Sequence, residues 1–463
     1  MPGLFPLGEL HGMALLHVAA VAVGLLLYVA LTHSGRQRRA PSAAIGWVVS
    51  LVAFPYLALP VYLLLGTRKL AHPCEAIANE AVADEGRWLQ ALGHGLGLPP
   101  ARHCHRIDLH ADGEGALQAL LVLLDGASSR IDIEIFILRD DAVGKQVAAA
   151  LQRATVRGVR VRVLLDGVGT LAGHRASAAL LRDAGAELRW FAPMRLRLHP
   201  QFGRGNLRNH RKLVLVDGHA MWTGGRNLAE EYFLDGATSM AWRDLSVVVE
   251  GGIVADAQTV FERDWASTFS GTSKTPSPVP AAPDAGARAQ LLPSGPDRRD
   301  DTAYSLFLNA IHRADARVLL ATPYFVPDAQ LQTALLLACR RGVDVQLLMP
   351  ARSNHRMADI ARERSLRELA AAGARIHLLP GMLHAKAIIV DDALASCGSI
   401  NFDGRSLFLN YELNLLFHDA GQVADLAAWF TAQRAQAAGY VARAPGWWRD
   451  IGEGLVRAVG FQL

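Results

Sequence analysis

Apolar residues crowd the first seventy positions and then change rhythm. Residues 13–31 carry only His17 as a polar interruption, and residues 43–65 hold Pro55 and Pro60 but no charge. Each run is long enough to cross a hydrocarbon core about 30 Å thick as a helix. Prolines that would break a soluble helix are tolerated in a bilayer, where neighbours satisfy the freed carbonyls. Trp47, Tyr56 and Tyr62 are aromatics suited to membrane interfaces. A cleaved signal peptide is the other reading of the first run, but no positive segment precedes Met13 and no small-residue cleavage site follows. Residues 1–70 are therefore expected to form a membrane anchor with two transmembrane helices. Arg36, Arg38 and Arg39 lie between the runs, and Arg68 and Lys69 follow the second, a margin too narrow to set orientation.

Beyond a connecting segment at residues 71–106, short β-branched runs bounded by Gly or Asp alternate with Ala- and Leu-rich stretches of helical spacing. This alternation occurs twice. Residues 127–138 match 314–326, residues 158–165 match 342–349, residues 184–188 match 372–376, and residues 210–217 match 384–391. The expected fold class is α/β, with duplicated sandwich halves at residues 107–269 and 287–418 forming one bilobal catalytic domain. The Pro-rich residues 270–286 read as a linker, and residues 419–463 as a helical extension. In that extension Trp447, Trp448, Ile451, Leu455 and Val459 make an apolar stripe that fits a bilayer interface or the domain equally well.

Charge narrows the partners. Forty-seven basic against 43 acidic side chains give a net +4, too mild for a nucleic-acid groove and suited to anionic lipid. Cys74, Cys104, Cys339 and Cys397 are scattered without the spacing of a zinc or redox site. The run His103, Cys104, His105 reads as strand or loop rather than as a metal ligand set. Arg195, Arg197, Arg204 and His199 could meet lipid headgroups or form a solvated basic face.

Each half closes on the same spacing: His, one residue, Lys, four residues, Asp, then after six residues a Gly with Asn three further on. The sets are His210, Lys212, Asp217, Gly224 and Asn227, and His384, Lys386, Asp391, Gly398 and Asn401. His and Lys two apart on a strand share a face. An imidazole that attacks phosphorus and an ammonium that neutralises its oxygens thus emerge side by side. A displacement on a phosphodiester needs one neutral nucleophile and one proton donor, which two facing copies supply. The two lysines carry charge that a divalent ion would otherwise bring, so neither a metal nor another cofactor is expected.

The duplicated pattern resembles the phospholipase D superfamily, the HKD enzymes, across nearly all of residues 107–418. Residues 322–327, Trp242-Arg243-Asp244 and Asn410-Tyr411-Glu412 fit as well. The resemblance implies a phosphatidyl-histidine intermediate, with His210 as nucleophile and His384 as general acid and then base, or the reverse. Lys212, Lys386, Asn227, Asn401 and Ser399 would hold the phosphate, Asp244 and Glu412 would orient the histidines, and Asp217 and Asp391 would anchor the strand-to-turn geometry. Two departures stand out: Gly225 faces Ser399 in the alignment, and Asn354 replaces an expected Asp.

Three members of the superfamily compete. A cardiolipin synthase joins two phosphatidylglycerol molecules, a phospholipase D uses water, and a nuclease cuts nucleic acid. The anchor, with residues 54–66, looks like that of bacterial cardiolipin synthases. This implies phospholipid substrates, phosphatidylglycerol first among them, no nucleic acid, and a multi-pass place in the bacterial inner membrane. The oligomeric state is not legible.

Overall fold

The computed structural model describes residues 7–34, 41–66, 88–170, 173–192, 204–237, 239–268, 286–298 and 300–458. The loop arginines 36, 38 and 39, Arg68, Lys69, Cys74, Arg195, Arg197, His199, Val459 and the linker before Gly286 lie outside them.

Among the described residues one helix, Leu7–Ser34, has the length and composition to cross a membrane, over Ala14–Thr32. The second expected span is not one unbroken helix. Pro41–Ala53 and Pro55–Leu65 meet at Phe54, which leaves helical geometry at φ −137° and ψ 56°. Pro55 causes this, because its ring crowds the preceding residue out of the α region. Main-chain bonds still run across the break, from Phe54 N to Ser50 O and from Ala58 N to Phe54 O, both 2.8 Å. Tyr28, Leu51, Ala58 and Tyr62 pack the three helices together, and the Thr32 and Tyr62 hydroxyls lie 3.3 Å apart.

Among the described residues the body holds a 15-stranded mixed sheet. Its central pair is Arg102–His110 antiparallel to Ala287–Ser294, with Cys104 opposite Ala287. Outward on one side run Ser246–Gly251, Ala220–Gly224, Leu213–Val216, Arg130–Ile135, Arg160–Asp166 and Glu187–Phe191. On the other side run Glu412–Phe417, Leu394–Gly398, Ala387–Val390, Arg317–Ala321, Asp344–Pro350 and Arg375–Leu379, then the two-residue edge strand Ala438–Gly439. Apart from that edge strand the order reads the same from the centre in either direction. The halves are thus joined through one continuous sheet.

Local chemistry is duplicated along with the order. Asp141 caps the helix Ala142–Val156 by accepting from Val143 N and Gly144 N, and Asp328 caps Ala329–Arg340 by accepting from Leu331 N. Gly158 and Gly342 follow those helices at φ 88° and 87°, a left-handed position that costs glycine nothing. Each half buries its own cluster, around Ile133, Val163 and Trp222 in the first and Leu320, Leu347 and Phe402 in the second. In the C-terminal extension the helix Trp447–Ala458 turns Glu453 onto Arg367 and Val456 toward Ala358. Trp447 and Trp448 stay exposed at 68% and 78%, so the helix packs on the body by one face only.

Candidate active site

Both His–Lys pairs lie on extended chain just before a buried apolar strand. His210 and Lys212 lead into Leu213–Val216, and His384 and Lys386 lead into Ala387–Val390. Main-chain bonds from the opposite half hold each approach. His210 N donates to Tyr411 O and Tyr411 N to Arg208 O, both at 2.9 Å, while His384 N donates to Arg243 O at 2.7 Å and Arg243 N to Met382 O at 2.9 Å.

That crossing places each acidic residue on the other half's imidazole. His210 Nδ1 lies 3.1 and 3.0 Å from the two carboxylate oxygens of Glu412. His384 Nδ1 lies 2.6 Å from Asp244 Oδ2. A carboxylate at Nδ1 fixes the proton there and leaves Nε2 with the lone pair. Lys212 Nζ donates to the His210 carbonyl at 2.7 Å. Lys386 Nζ donates to the His384 carbonyl and rests 2.7 and 2.9 Å from that ring's nitrogens. Phe136 stands edge-on to His210 at 5.0 Å, and Tyr232 and Trp242 flank His384 at 5.0 and 5.5 Å.

Burial governs the titration of this cluster. It pulls His210 down to about 4, with Glu412 opposing and Lys212 assisting, and His384 down to about 3, with Lys386 assisting and Asp244 opposing. It also lowers Lys386 to about 8 and Lys212 well below its usual range. Burial pushes the Asp244 carboxyl up, but Lys386 and His384 more than offset that; His210 and Lys212 do the same for Glu412. Lys386 acts on His210, and Lys212 on His384, so the two couples occupy one electrostatic neighbourhood. Two neutral imidazoles between two buried amines make a site ready for an anionic phosphodiester.

The remaining predicted residues divide. Asn227 accepts from Ile137 N at 3.1 Å and donates to the Tyr232 hydroxyl at 2.9 Å. Asn401 donates to Ser406 Oγ at 3.2 Å, the same five-residue relation. Ser399, expected on the phosphate, lies beside Glu412. Its hydroxyl donates to Glu412 and accepts from Leu413 N, because Glu412 reaches under it toward His210. Gly225, its counterpart, must stay small, since a Cβ there would collide with the Asp244 carboxylate. Asp217 and Asp391 stay out of the cleft. Asp217 accepts from the nitrogens of Ser128, Ser129 and Arg130, and Asp391 from those of Asp315, Ala316 and Arg317. Both sit at φ 51°, a conformation Asp tolerates. Asn354 accepts from the Tyr324 hydroxyl at 2.6 Å. Sequence reasoning missed Phe136, Tyr232 and Ser406, whose spacing from the motifs became meaningful only with the fold.

The family described as "Cardiolipin synthase, PLD-like domain" matches residues 120–265 and 307–434, segments that contain both His–Lys pairs. Cardiolipin synthase A of Pseudomonas entomophila (strain L48) is 35% identical over 425 residues, covering 86% of this chain and 87% of that protein. The chain belongs to the cardiolipin synthase family of the phospholipase D superfamily. Cardiolipin synthase A of Pseudomonas fluorescens (strain SBW25) is 34% identical over 431 residues, covering 87% of this chain and 89% of its own length. Among solved structures, phosphatidylserine synthase of Haemophilus influenzae Rd KW20 superposes with a TM-score of 0.63 at 13% identity, covering 81% of this chain and all of that one. That likeness speaks to the fold. Membership of the cardiolipin synthase family makes the chain a phosphatidyltransferase.

Proposed function

We propose that the enzyme transfers a phosphatidyl group from one phosphatidylglycerol to another, giving cardiolipin and glycerol. The reading rests on the reciprocal pairs Glu412–His210 and Asp244–His384, which build one two-histidine site from both halves. His210 is the nucleophile. Its side chain is 12% exposed against 5% for His384, so it is the more open to a lipid phosphate. Nε2 of His210 attacks phosphorus, a P–N bond forms, and the P–O bond to the departing glycerol breaks. The glycerol oxygen takes its proton from His384, which the bound phosphate charge raises from its low resting value once Lys386 turns toward that phosphate. The second lipid's glycerol hydroxyl then gives its proton to His384, attacks phosphorus and breaks the P–N bond. Lys212, Lys386, Asn227 and Asn401 hold the non-bridging oxygens.

The same reading places the helix Leu7–Ser34 and the kinked segment Pro41–Leu65 in the bacterial inner membrane as two crossings. Sharing a membrane plane raises the effective concentration of enzyme and both lipids. Reporter tags before Leu7 and after Pro73 would then lie on the same side; opposite sides would mean a single crossing. For the reaction, the full-length protein in phosphatidylglycerol vesicles is expected to form cardiolipin and glycerol, followed by lipid mass spectrometry. Phosphatidic acid as the sole product would instead make it a phospholipase.

A further inference from the structure

The helix Trp447–Ala458 is mounted the wrong way round for a surface that meets water. At about 100° per residue, Trp447, Ile451 and Trp448 span an arc of about 100°, and Val456, Arg449 and Glu453 occupy the opposite side. A surface helix ordinarily buries its apolar stripe and gives its charges to water. Here the charged side faces the body. The Glu453 side chain, 2% exposed, accepts from Arg367 Nη1 at 3.3 Å and from Arg449 Nε at 2.9 Å, and Arg449 Nη2 lies 3.5 Å from Glu363 Oε2. Val456 adds one apolar contact, in a cluster with Tyr324, Val326, Ala358 and Ala361. Trp447, Trp448 and Ile451 are left exposed, as is Val441 just before the helix.

Charge and position say what covers that face. Glu453 and Glu363 are paired with Arg367 and Arg449, and Asp450 lies 4.0 Å from Arg367. Arg367 meets Glu453 while Ala358 shares a cluster with Val456, so the helix Arg356–Ala371 runs antiparallel to this one. Exposed Arg443 precedes one end of the Trp447–Ala458 helix, and exposed Arg356 lies toward the other. Tryptophans flanked by arginines suit the headgroup layer of an anionic bilayer. As to position, Phe325–Val326 pairs in parallel with Phe402–Asp403, directly after Asn401. Through Tyr324 and Val326 the helix rests on a segment one strand away from the second motif.

We propose that the face formed by Trp447, Trp448 and Ile451 enters the headgroup layer of an anionic phospholipid bilayer and seats the body on the membrane. A tether alone does not choose which side of a body meets lipid; an interfacial helix does. Substrate then reaches the cleft without leaving the surface. The proposal needs a phospholipid substrate, and does not depend on which acceptor completes the reaction.

The test places the full-length enzyme in phosphatidylglycerol vesicles, with and without bromine on the acyl chains, which quenches tryptophan on contact. Subtracting the emission of the Trp447→Phe/Trp448→Phe variant isolates these two of the nine tryptophans. Brominated lipid is expected to quench the difference emission. An unquenched difference overturns the proposal, whether aqueous iodide reaches the rings or a second copy of the chain shields them from both quenchers. Trp447→Glu/Trp448→Glu should lower the ratio of turnover on vesicles to turnover on short-chain phosphatidylglycerol in detergent by about tenfold, through lost apolar burial and repulsion from anionic lipid. An unchanged ratio overturns the seating of the body. Should the Glu variant fail to fold, the quenching decides alone. Turnover is counted as donor consumed, so phosphatidic acid as sole product would remove the transfer reading and leave this face standing.

Discussion

Replacing Glu412 with Gln separates charge from shape at His210. Glu412 is fully buried, and its two oxygens receive His210 Nδ1, the Ser399 hydroxyl and Asn410 Nδ2, the last at 3.2 Å. Gln keeps the volume and one acceptor oxygen. Whenever His210 becomes cationic during transfer, its charge lies about 4 Å from the carboxylate, an attraction of about 4 kcal/mol at an effective dielectric of about 20. The neutral amide retains a hydrogen bond of about 1 kcal/mol, so about 3 kcal/mol is lost, a fall of about 10²-fold in kcat. KM should change by less than about threefold, because the interaction grows only in the transition state. Glu412 works against the burial that lowers His210, so its removal drives the ring further below about 4 and leaves it neutral at pH 7. Raising the pH therefore restores nothing. Initial rates of cardiolipin formation from pH 5.5 to 9, with a thermal melt to establish folding, make the assay. A loss below threefold, or recovery at alkaline pH, would refute the argument.

Three further outcomes follow from the same geometry. Given a p-nitrophenyl phosphodiester donor, whose leaving group needs no acid, His384→Ala should accumulate a phosphoramidate on His210, read by mass spectrometry. An adduct on residue 384 in His210→Ala would exchange the two roles. Gly225→Ala should cut transfer by more than about 10²-fold, since its Cβ displaces Asp244 from His384, whereas Ser399→Ala removes one of several contacts to Glu412 and should cost about tenfold or less; equal effects would contradict this. Acid should destabilise the fold. His210 and His384 titrate at about 4 and about 3 when folded, against about 6.5 when unfolded, so the unfolded chain binds more protons between those values. Their contribution is complete above about pH 6.5 and is lost as pH falls through about 4 and 3. A melting temperature that holds steady from pH 7 to 4.5 would count against neutral buried rings.

The repeat was legible because duplicated strands kept their β-branched runs and their turn residues, down to the left-handed positions at Gly158 and Gly342. The His–Lys pairs were legible because period two puts them on one face whatever the surrounding topology. Pairing between halves was not. Nothing local in residues 242–244 says that Asp244 meets His384 rather than the nearer His210, since that depends on how the two halves pack. The bond from Ser399 to Glu412 was hidden for the same reason: a hydroxyl beside a phosphate motif and one beneath a carboxylate look alike in one dimension. The second apolar segment was long enough for a single helix by composition, yet Pro55 constrains Phe54 and divides it.

Reciprocity does not make the two histidines equivalent, and the difference lies in side-chain length. On one side a Glu reaches His210 beneath a Ser; on the other a shorter Asp reaches His384 past a Gly with no side chain to brace it. Glu412 grips His210 with both oxygens and is itself held by Ser399 and Asn410. Asp244 offers Oδ2 to His384 while its other oxygen accepts from Leu245 N at 2.7 Å, and Lys386 lies against the ring. A fixed ring suits attack along one direction, because a nucleophile gains from orientation. A ring in contact with an amine that a substrate phosphate can draw away changes its proton affinity when substrate arrives, as a general acid must. On the proposed assignment of roles, the small exchange of Gly225 with Ser399, and of Asp244 with Glu412, is what divides the labour between two copies of one motif.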